Sequence, residues 1–360
     1  MVVDAGGSVL YTETMPTMEA MVLRAHGGPE VLERATVEIP PPGPREALVR
    51  VQAVAMNHMD LWVRRGLPHL KLSYPFRLGC DIVGIVEELG PGARGARVGD
   101  RVLLQPGISC GVCSACLAGR DNLCRSYGIL GESVQGGYGE LISVPDANLL
   151  PCPTNLSVEE AASLPLCLLT AWQMVFKKAR VIPGQTVLVQ AAGSGVSSLA
   201  IQLCKLAGAR VIATTGTDEK AARARQLGAD EVINYTSHDF VAEVRRLTGK
   251  TGVDVVLEHV GGDVFARSIL AARWGGRVVT VGATTGYATS LDLRQIFFRQ
   301  VEVLGSTMGS KGDLHEALAL VESGKIRPVV DRVLPLWQAQ QAHALLEDRR
   351  VFGKLVLTLS

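Results

Sequence analysis

The sequence predicts a doubly wound parallel α/β sheet joined to an irregular β domain. From about Val158 onward, apolar strands alternate with helical stretches of about 10–15 residues, the pattern of a sheet covered on both faces. Before that point, short strand-like runs are broken by Gly, Pro and Asp. Composition agrees, because 39 glycines with many Val, Ala and Leu suit tight turns and apolar strands better than a helical bundle.

The chain has 360 residues, enough for about two domains with cores of their own. Its 36 basic and 35 acidic side chains nearly cancel, so no field draws in nucleic acid or anionic lipid, and neither is expected as a partner. No apolar stretch approaches the ~20 residues of a membrane helix. The opening MVVDAGGSVLYTE carries acids and no basic n-region, which argues against a secretory signal. A cytoplasmic protein is expected.

Residues 1–17 lack periodicity and precede a second methionine, Met18, so a disordered extension or a misplaced start is expected there. Ala47-Leu48-Val49-Arg50-Val51-Gln52-Ala53-Val54 alternates as a strand, and IVGIVEELG, DRVLLQP and GELISVP continue the β pattern. Val158-Glu159-Glu160-Ala161-Ala162 opens a helix with an acidic first turn, and LPLCLLTAWQMVFKKARV reads as a second helix. The strands TVLVQAA, RVIATTG, DEVINY, VDVVLEHV and GRVVTVGA then alternate with the helices SSLAIQLCKLAGA, DEKAARARQLGA, DFVAEVRRLTG and FARSILAARWG. From Gly305 the chain leaves this alternation and closes with a helix, ALALVES, and a strand, GKLVLTL. The expected limits are 18–167 for the β domain and 168–305 for the α/β domain, with 306–360 returning to the first.

Two motifs carry chemistry. The strand TVLVQ runs into Ala191-Ala192-Gly193-Ser194-Gly195-Val196-Ser197 and a helix. Small residues there let the backbone approach a pyrophosphate, and the helix N-terminus offers free N–H groups. A bare glycine pattern is weak, but its place between the first strand and first helix of the alternating series makes it specific. The next strand ends Ile212-Ala213-Thr214-Thr215-Gly216-Thr217, with no acid until Asp218. Without a carboxylate to hold a ribose 2′-hydroxyl, and with Lys220 close by, NADP(H) is favoured over NAD(H); the plainer reading of Lys220 is a solvated helix-surface charge.

The second motif is Cys110, Cys113, Cys116 and Cys124, spaced C-x2-C-x2-C-x7-C. Four thiolates close a tetrahedral shell around Zn²⁺ and leave no position for water, so the zinc expected here is structural. The segment lacks the repeat spacing and trailing proline of an iron–sulfur site. Cys152, Cys167 and Cys204 read as small core residues.

These features resemble the medium-chain dehydrogenase/reductase superfamily, which holds zinc alcohol dehydrogenases and quinone oxidoreductases, and the likeness runs from Met18 to the end. The resemblance implies a GroES-like β domain holding the active site, a Rossmann cofactor domain, a cleft between them, and a homodimer or homotetramer. At the three catalytic-zinc ligand positions the family pattern puts Asn57, Cys80 (in Gly79-Cys80-Asp81) and Leu166 beside Cys167, with Met59 where a hydroxyl would relay the alcohol proton. A second zinc on Cys80, Asp81 and Cys167 stays open as an alternative.

The same departures are similar to the quinone oxidoreductase branch. Its N-x-x-D-x-x-x-R-x-G segment reads here from Asn57 through Asp60 and Arg64 to Gly66, and its T-x-G-T-x-x-K reads from Thr214 to Lys220. The branch implies that Gly216, Lys220 and Tyr235, with Thr215 and Thr217 beside them, cradle a 2′-phosphate. That branch typically lacks the four-cysteine lobe, and this turn has Ser194 and Ser197 where the family commonly has glycine. The resemblance further places His58 at the pyrophosphate, Thr170 on the nicotinamide at the start of its helix, and Gly282 and Ala283 beside the ring.

The implied activity is zinc-free hydride transfer from NADPH to an enone or other activated alkene, a quinone or a carbonyl such as an aldehyde. Asn57 would donate to the substrate carbonyl or a ribose, and Asp60 would orient the loop. Competing readings have Asn57 and Asp60 satisfying loop backbone groups and Thr170 capping its helix. At the level of function, the alternatives are a zinc alcohol dehydrogenase with an unusual metal sphere and a non-catalytic NADPH-binding protein.

Overall fold

In a computed structural model, residues 2–3, 9–10, 15–39, 41–68 and 70–359 are described. Most of the expected extension over 1–17 lies outside them; within it, Val2–Val3 pairs with Val9–Leu10, and Thr17 begins the strand Thr17–Leu23.

The alternating apolar runs form a six-stranded parallel sheet. Its spatial order is Glu231–Asn234, Arg210–Thr215, Thr186–Val189, Val253–Glu258, Ala272–Thr280 and Glu302–Gly305. Counted in chain order this is 3-2-1-4-5-6, so the direction of winding reverses between the strands Thr186–Val189 and Val253–Glu258. Period-two alternation covers both faces. Val187, Val189, Val255 and Leu257 face the main core, whereas Leu188, Ile212, Val256 and Val278 face a second core closed by Phe240, Val244 and Ile269.

The earlier strands form an antiparallel sheet ordered Leu149–Pro151, Arg101–Leu104, Asp81–Leu89, Glu46–Ala55, with Leu141–Pro145 also paired to Glu46–Ala55. The C-terminal strand Lys354–Thr358 joins the same sheet, antiparallel to Glu46–Ala55, and Val330–Pro335 lies parallel beside it. One apolar core spans both sheets, joining Val49, Ile82 and Leu357 to Leu169, Val189 and Leu257.

Several elements differ from the sequence expectation. The second helix is α-helical only over Pro165–Trp172 and continues as a π-helix over Gln173–Lys178. Thr170 therefore sits inside the helix and not at its start, and it does not cap it. The helix expected through Gly275 ends at Ala271, because Ala272 turns extended and Gly275 takes φ 65°. The strand Glu302–Gly305, the strand Val330–Pro335 and the helix Ala339–Glu347 were not expected, and the helix around ALALVES begins earlier, at Lys311. Among the described residues no helix is long and apolar enough to cross a membrane.

Candidate active site and zinc lobe

The phosphate turn lies at the switch point of the parallel sheet, where open α/β folds bind ligands. Ser194 caps the helix Gly195–Leu206, its Oγ accepting the Ser197 N–H at 3.0 Å. Gly193 and Gly195 are close-approach positions. A Cβ on Gly195 would stand 2.7 Å from Lys354 Cδ and 2.8 Å from Cys167 Sγ, and one on Gly193 would stand 3.3 Å from Phe352. The C-terminal strand docks directly on this turn, since the Gly353 N–H donates to Gly193 O at 2.8 Å.

The two serines do not crowd the turn; they are held by His259, at the end of the neighbouring strand. Ser197 Oγ donates to Gln190 O at 2.7 Å, so the His259 Nε2–H donates to Ser197 Oγ at 2.9 Å, with Ser194 Oγ at 3.1 Å. That leaves the Ser194 hydroxyl proton for an outside acceptor. Burial holds His259 neutral, with its pKa lowered to about 4. His58 is also lowered to about 4, first by burial, then by the neighbouring His259 ring and by the positive charges of Arg349, Arg65 and Lys354. This cationic crevice beside a helix N-terminus fits a pyrophosphate. Val196 lies in the first turn of the helix Gly195–Leu206, and Gly282 and Ala283 leave the strand Ala272–Thr280 next to His259, whose carbonyl would lie 3.2 Å from a Cβ on Gly282.

Thr215, Gly216, Thr217, Lys220 and Tyr235 come together at the end of the strand Arg210–Thr215. The Tyr235 N–H donates to Thr215 O at 2.9 Å, and a Cβ on Gly216 would lie 2.7 Å from the Tyr235 hydroxyl. Thr217 caps the next helix through the Lys220 N–H. Lys220 Nζ donates to Arg349 O at 2.6 Å, stretched across the turn past Gly193. Asp218, the first acid after the strand, accepts from Asn234 Nδ2 at 2.9 Å.

On the β-domain side, Asn57 and Asp60 begin the helix His58–Arg65. The Asp60 carboxylate accepts the Asn57 N–H at 2.7 Å and the Gly79 N–H at 2.9 Å, and burial raises its pKa to about 6 despite both bonds. Asn57 Nδ2 donates to Asp81 Oδ2 at 2.9 Å, and its Oδ1 accepts from Lys354 Nζ at 2.6 Å. Lys354 Nζ also donates to Asp81 Oδ2 at 2.8 Å, with the lysine 4% and the aspartate 0% exposed. Cys80 Sγ lies 3.3 Å from Asn57 Nδ2 and Cys167 Sγ 3.7 Å from Asn57 Oδ1, and burial pushes both thiols up. Leu166 contributes its backbone, donating to Asp81 Oδ1 at 2.6 Å. Sequence reasoning missed Lys354, His259 and the pairing of Lys354 with Asp81. The available signal for Lys354 was a single charge inside the otherwise apolar run GKLVLTL.

The four-cysteine lobe is preformed. The sulfurs of Cys110, Cys113, Cys116 and Cys124 all lie within 4.8 Å of one another. Sγ–Sγ separations of 3.5 Å (Cys110–Cys124), 3.5 Å (Cys113–Cys116) and 3.9 Å (Cys110–Cys116) match the edge of about 3.8 Å of a tetrahedron with ~2.3 Å Zn–S bonds. Backbone N–H groups of Val112 and Cys113 favour the Cys110 thiolate. The donor set fits zinc, and these four residues would hold it with no open coordination position.

Two family models match: an alcohol dehydrogenase GroES-like domain over residues 43–154 and a zinc-binding dehydrogenase over residues 195–323. An NAD-dependent alcohol dehydrogenase of Sulfolobus acidocaldarius is 33% identical over 95% of this chain and 100% of its own. An acryloyl-coenzyme A reductase of Metallosphaera sedula is 32% identical over 95% of this chain and 100% of its own. A crystal structure of an NAD-dependent alcohol dehydrogenase superposes with a TM-score of 0.92 at 54% identity, covering 95% of this chain and 100% of that one. The chain belongs to the medium-chain dehydrogenase/reductase superfamily.

As a medium-chain dehydrogenase/reductase it is an oxidoreductase, with a Rossmann-like parallel sheet and a GroES-like domain. Members of this superfamily use a nicotinamide cofactor and zinc, and a four-cysteine cluster that fits zinc is present here.

Proposed function

We propose that this medium-chain dehydrogenase/reductase is an NADP(H)-dependent enzyme that transfers hydride to an activated alkene, quinone or aldehyde at a centre without catalytic zinc, and that its four-cysteine lobe holds one structural zinc. The observation that carries this reading is Lys354. Its buried ammonium is hydrogen-bonded to Asn57 and Asp81 among the residues that the family pattern equates with catalytic-zinc ligands. A fixed cation there already neutralises Asp81, and a metal would have to displace it.

A reduced nicotinamide in the crevice would supply the hydride. With the hydride delivered to the electrophilic carbon, one proton from water would complete the resulting enolate, phenolate or alkoxide. The protein's part is positioning. Asn57 acts as a positioning residue that bridges Lys354 and Asp81, and Asp60 holds the loop through Asn57 and Gly79. Thr170, Gly282 and Ala283 would hold the nicotinamide ring when the cofactor binds. Ser194 and His58 serve the pyrophosphate, and Ser197, expected there from the sequence, instead braces the turn through Gln190 and His259. The acid-free stretch from Ile212 to Thr217, with Lys220 and Tyr235 beside it, supports NADP(H) over NAD(H). Eight free cysteines suit a cytoplasmic enzyme. The open outer edge of the strand Glu302–Gly305, free to pair with a second copy, supports a homodimer.

The deciding experiment counts zinc in protein purified without added metal, beside Cys110→Ser. The expected outcome is one zinc per chain that is lost in the variant, with NADPH-dependent enone or quinone reduction that resists chelators. Two zincs, one of them persisting in the variant, would return the site to metal-assisted alcohol chemistry on Cys80, Asp81 and Cys167.

A further inference from the structure

A cavity of about 380 Å³ opens where the cysteine lobe, the π-helical segment and the end of the parallel sheet meet. Asn122 and Leu123 supply the lobe wall, Gln173 and Lys178 the π-helical wall, and Gly282 and Ser306 the sheet end. Gly282 ties the cavity to the position assigned above to the nicotinamide ring, so a ligand there would extend from the reacting carbon towards the lobe. A run of π-helix is rare and is found disproportionately at functional sites.

Two polar groups in this wall are unspent. Ser306 is 8% exposed, and its Oγ is buried with no hydrogen-bond partner. Lys178 is half-buried and, among the described residues, has neither a hydrogen-bond nor an ion-pair partner. Its neighbour Lys177 shows the contrast, because it pairs with Asp313 at 3.0 Å and Glu316 at 3.5 Å. A buried hydroxyl without a partner is unfavourable unless a ligand completes it, and a half-desolvated ammonium without a counter-ion is an anion site in waiting. Asn122 stiffens the opposite wall, its Nδ2 donating to Thr307 O at 3.2 Å.

We infer that this cavity receives the carboxylate of the substrate, with Lys178 as its charge partner and Ser306 as a hydrogen-bond donor. The substrate class is thereby narrowed to carbonyl-activated acceptors that carry a carboxylate away from the reacting carbon. A planar carboxylate can take the ammonium on one oxygen and the hydroxyl on the other, a charge-assisted pair that a neutral ester cannot reproduce. The inference rests on the proposed hydride transfer, and its test separates the two.

The probes are an enone bearing a carboxylate at the far end of a short alkyl chain, its methyl ester, and the saturated keto acid as a non-reacting ligand. With zinc-loaded enzyme and NADPH, the acid should exceed the ester in kcat/KM by on the order of tenfold or more. Lys178→Gln should lower that acid-to-ester ratio by a similar factor, Ser306→Ala by less, and Lys178→Arg should retain most of it. Calorimetry of the keto acid with the NADP-loaded enzyme should show the same order of affinities. A wild-type ratio near one, or keto-acid binding unchanged in Lys178→Gln, overturns the inference even if both enones are reduced. If neither enone is reduced, the hydride-transfer reading fails, and calorimetry alone decides the cavity: binding lost in Lys178→Gln upholds the carboxylate site, and no binding overturns it.

Discussion

Burial holds His58, His259 and His343 neutral, with pKa values of about 4, about 4 and about 3. For His343 the tautomer follows from its neighbours. Arg64 donates to Nδ1 at 3.1 Å, so Nε2 keeps its proton and faces the Tyr138 hydroxyl at 3.2 Å. Arg64, almost wholly buried, is also bonded to Glu347, which ties the helix His58–Arg65 to the helix Ala339–Glu347. An unfolded histidine titrates near ~6.5, so below that pH the unfolded chain binds protons that the folded one refuses. The histidine contribution to stability is complete above ~6.5 and is lost as pH falls towards 4. Asp60 runs the other way. Its carboxyl is raised to about 6, so it loses stability as pH climbs from ~3.8 to 6, offsetting one histidine. From these four groups alone the unfolded state should bind about two more protons between pH ~4.5 and ~5.5, beside those taken up by carboxylates held low in the fold such as Glu19, Glu160 and Glu243, and in urea unfolding His343→Gln should lower the total by about one. A variant slope equal to wild type would mean that His343 is not held neutral. None of this is readable from a lone His in ALLEDRR-flanked sequence, because burial between two distant helices is a tertiary property. Lys354 is the same case: in a strand a single charge reads as an outward residue, and only Asp81 and Asn57 across the sheet turn it inward.

At the scale of elements, the phosphate turn and the cysteine lobe were legible because each is local: the whole signal lies within one short segment, and backbone geometry and metal-ligand spacing need no distant partner. What the turn packs against was not legible. Gly353 and Lys354 arrive from the far end of the chain, and only their contact explains why the second turn glycine, Gly195, has no room for a side chain. The two turn glycines therefore differ in kind. At Gly193 the nearest atoms are the Phe352 ring edge at 3.3 Å and the flexible Lys220 Cδ at 3.4 Å, which can give. At Gly195 a Cβ meets Lys354 Cδ at 2.7 Å and Cys167 Sγ at 2.8 Å, and both are buried. Gly195→Ala must displace the lysine that spans Asn57 and Asp81. It should weaken NADPH binding by on the order of tenfold, a loss of about 1.4 kcal/mol, and lower the melting temperature. Gly193→Ala should do markedly less. Fluorescence titration of both variants checks the ranking, and equal effects would mean that the strand carrying Lys354 does not brace the turn.

For the whole molecule, the order of the parallel sheet leaves one long-range consequence. Glu302–Gly305 closes the sheet on one side and pairs only with Ala272–Thr280, so its outer edge has no neighbour among the described residues. Around it stand large apolar side chains that a lone chain would leave in water: Trp274 at 66% exposure, Phe297 at 57%, Phe298 at 61% and Val303 at 40%. An open edge beside an apolar patch is an aggregation liability unless it is covered, and a second copy can cover it by pairing edge to edge about a two-fold axis. A stable pair needs roughly 1,200 Å² or more of total buried area, within reach of a strand flanked by several aromatic residues. The strand itself escaped the sequence reading because EVLG is short and follows a segment with no clear period, so the sheet seemed to end one strand early. Light scattering at micromolar concentration should give twice the chain mass. Val303→Lys combined with Phe298→Asp should shift the protein to monomer while the zinc count per chain stays at the wild-type value, because the cysteine lobe is built from 110–124, away from this edge. A wild-type monomer at tens of micromolar, or a dimer indifferent to both substitutions, would place the contact between copies elsewhere on the surface.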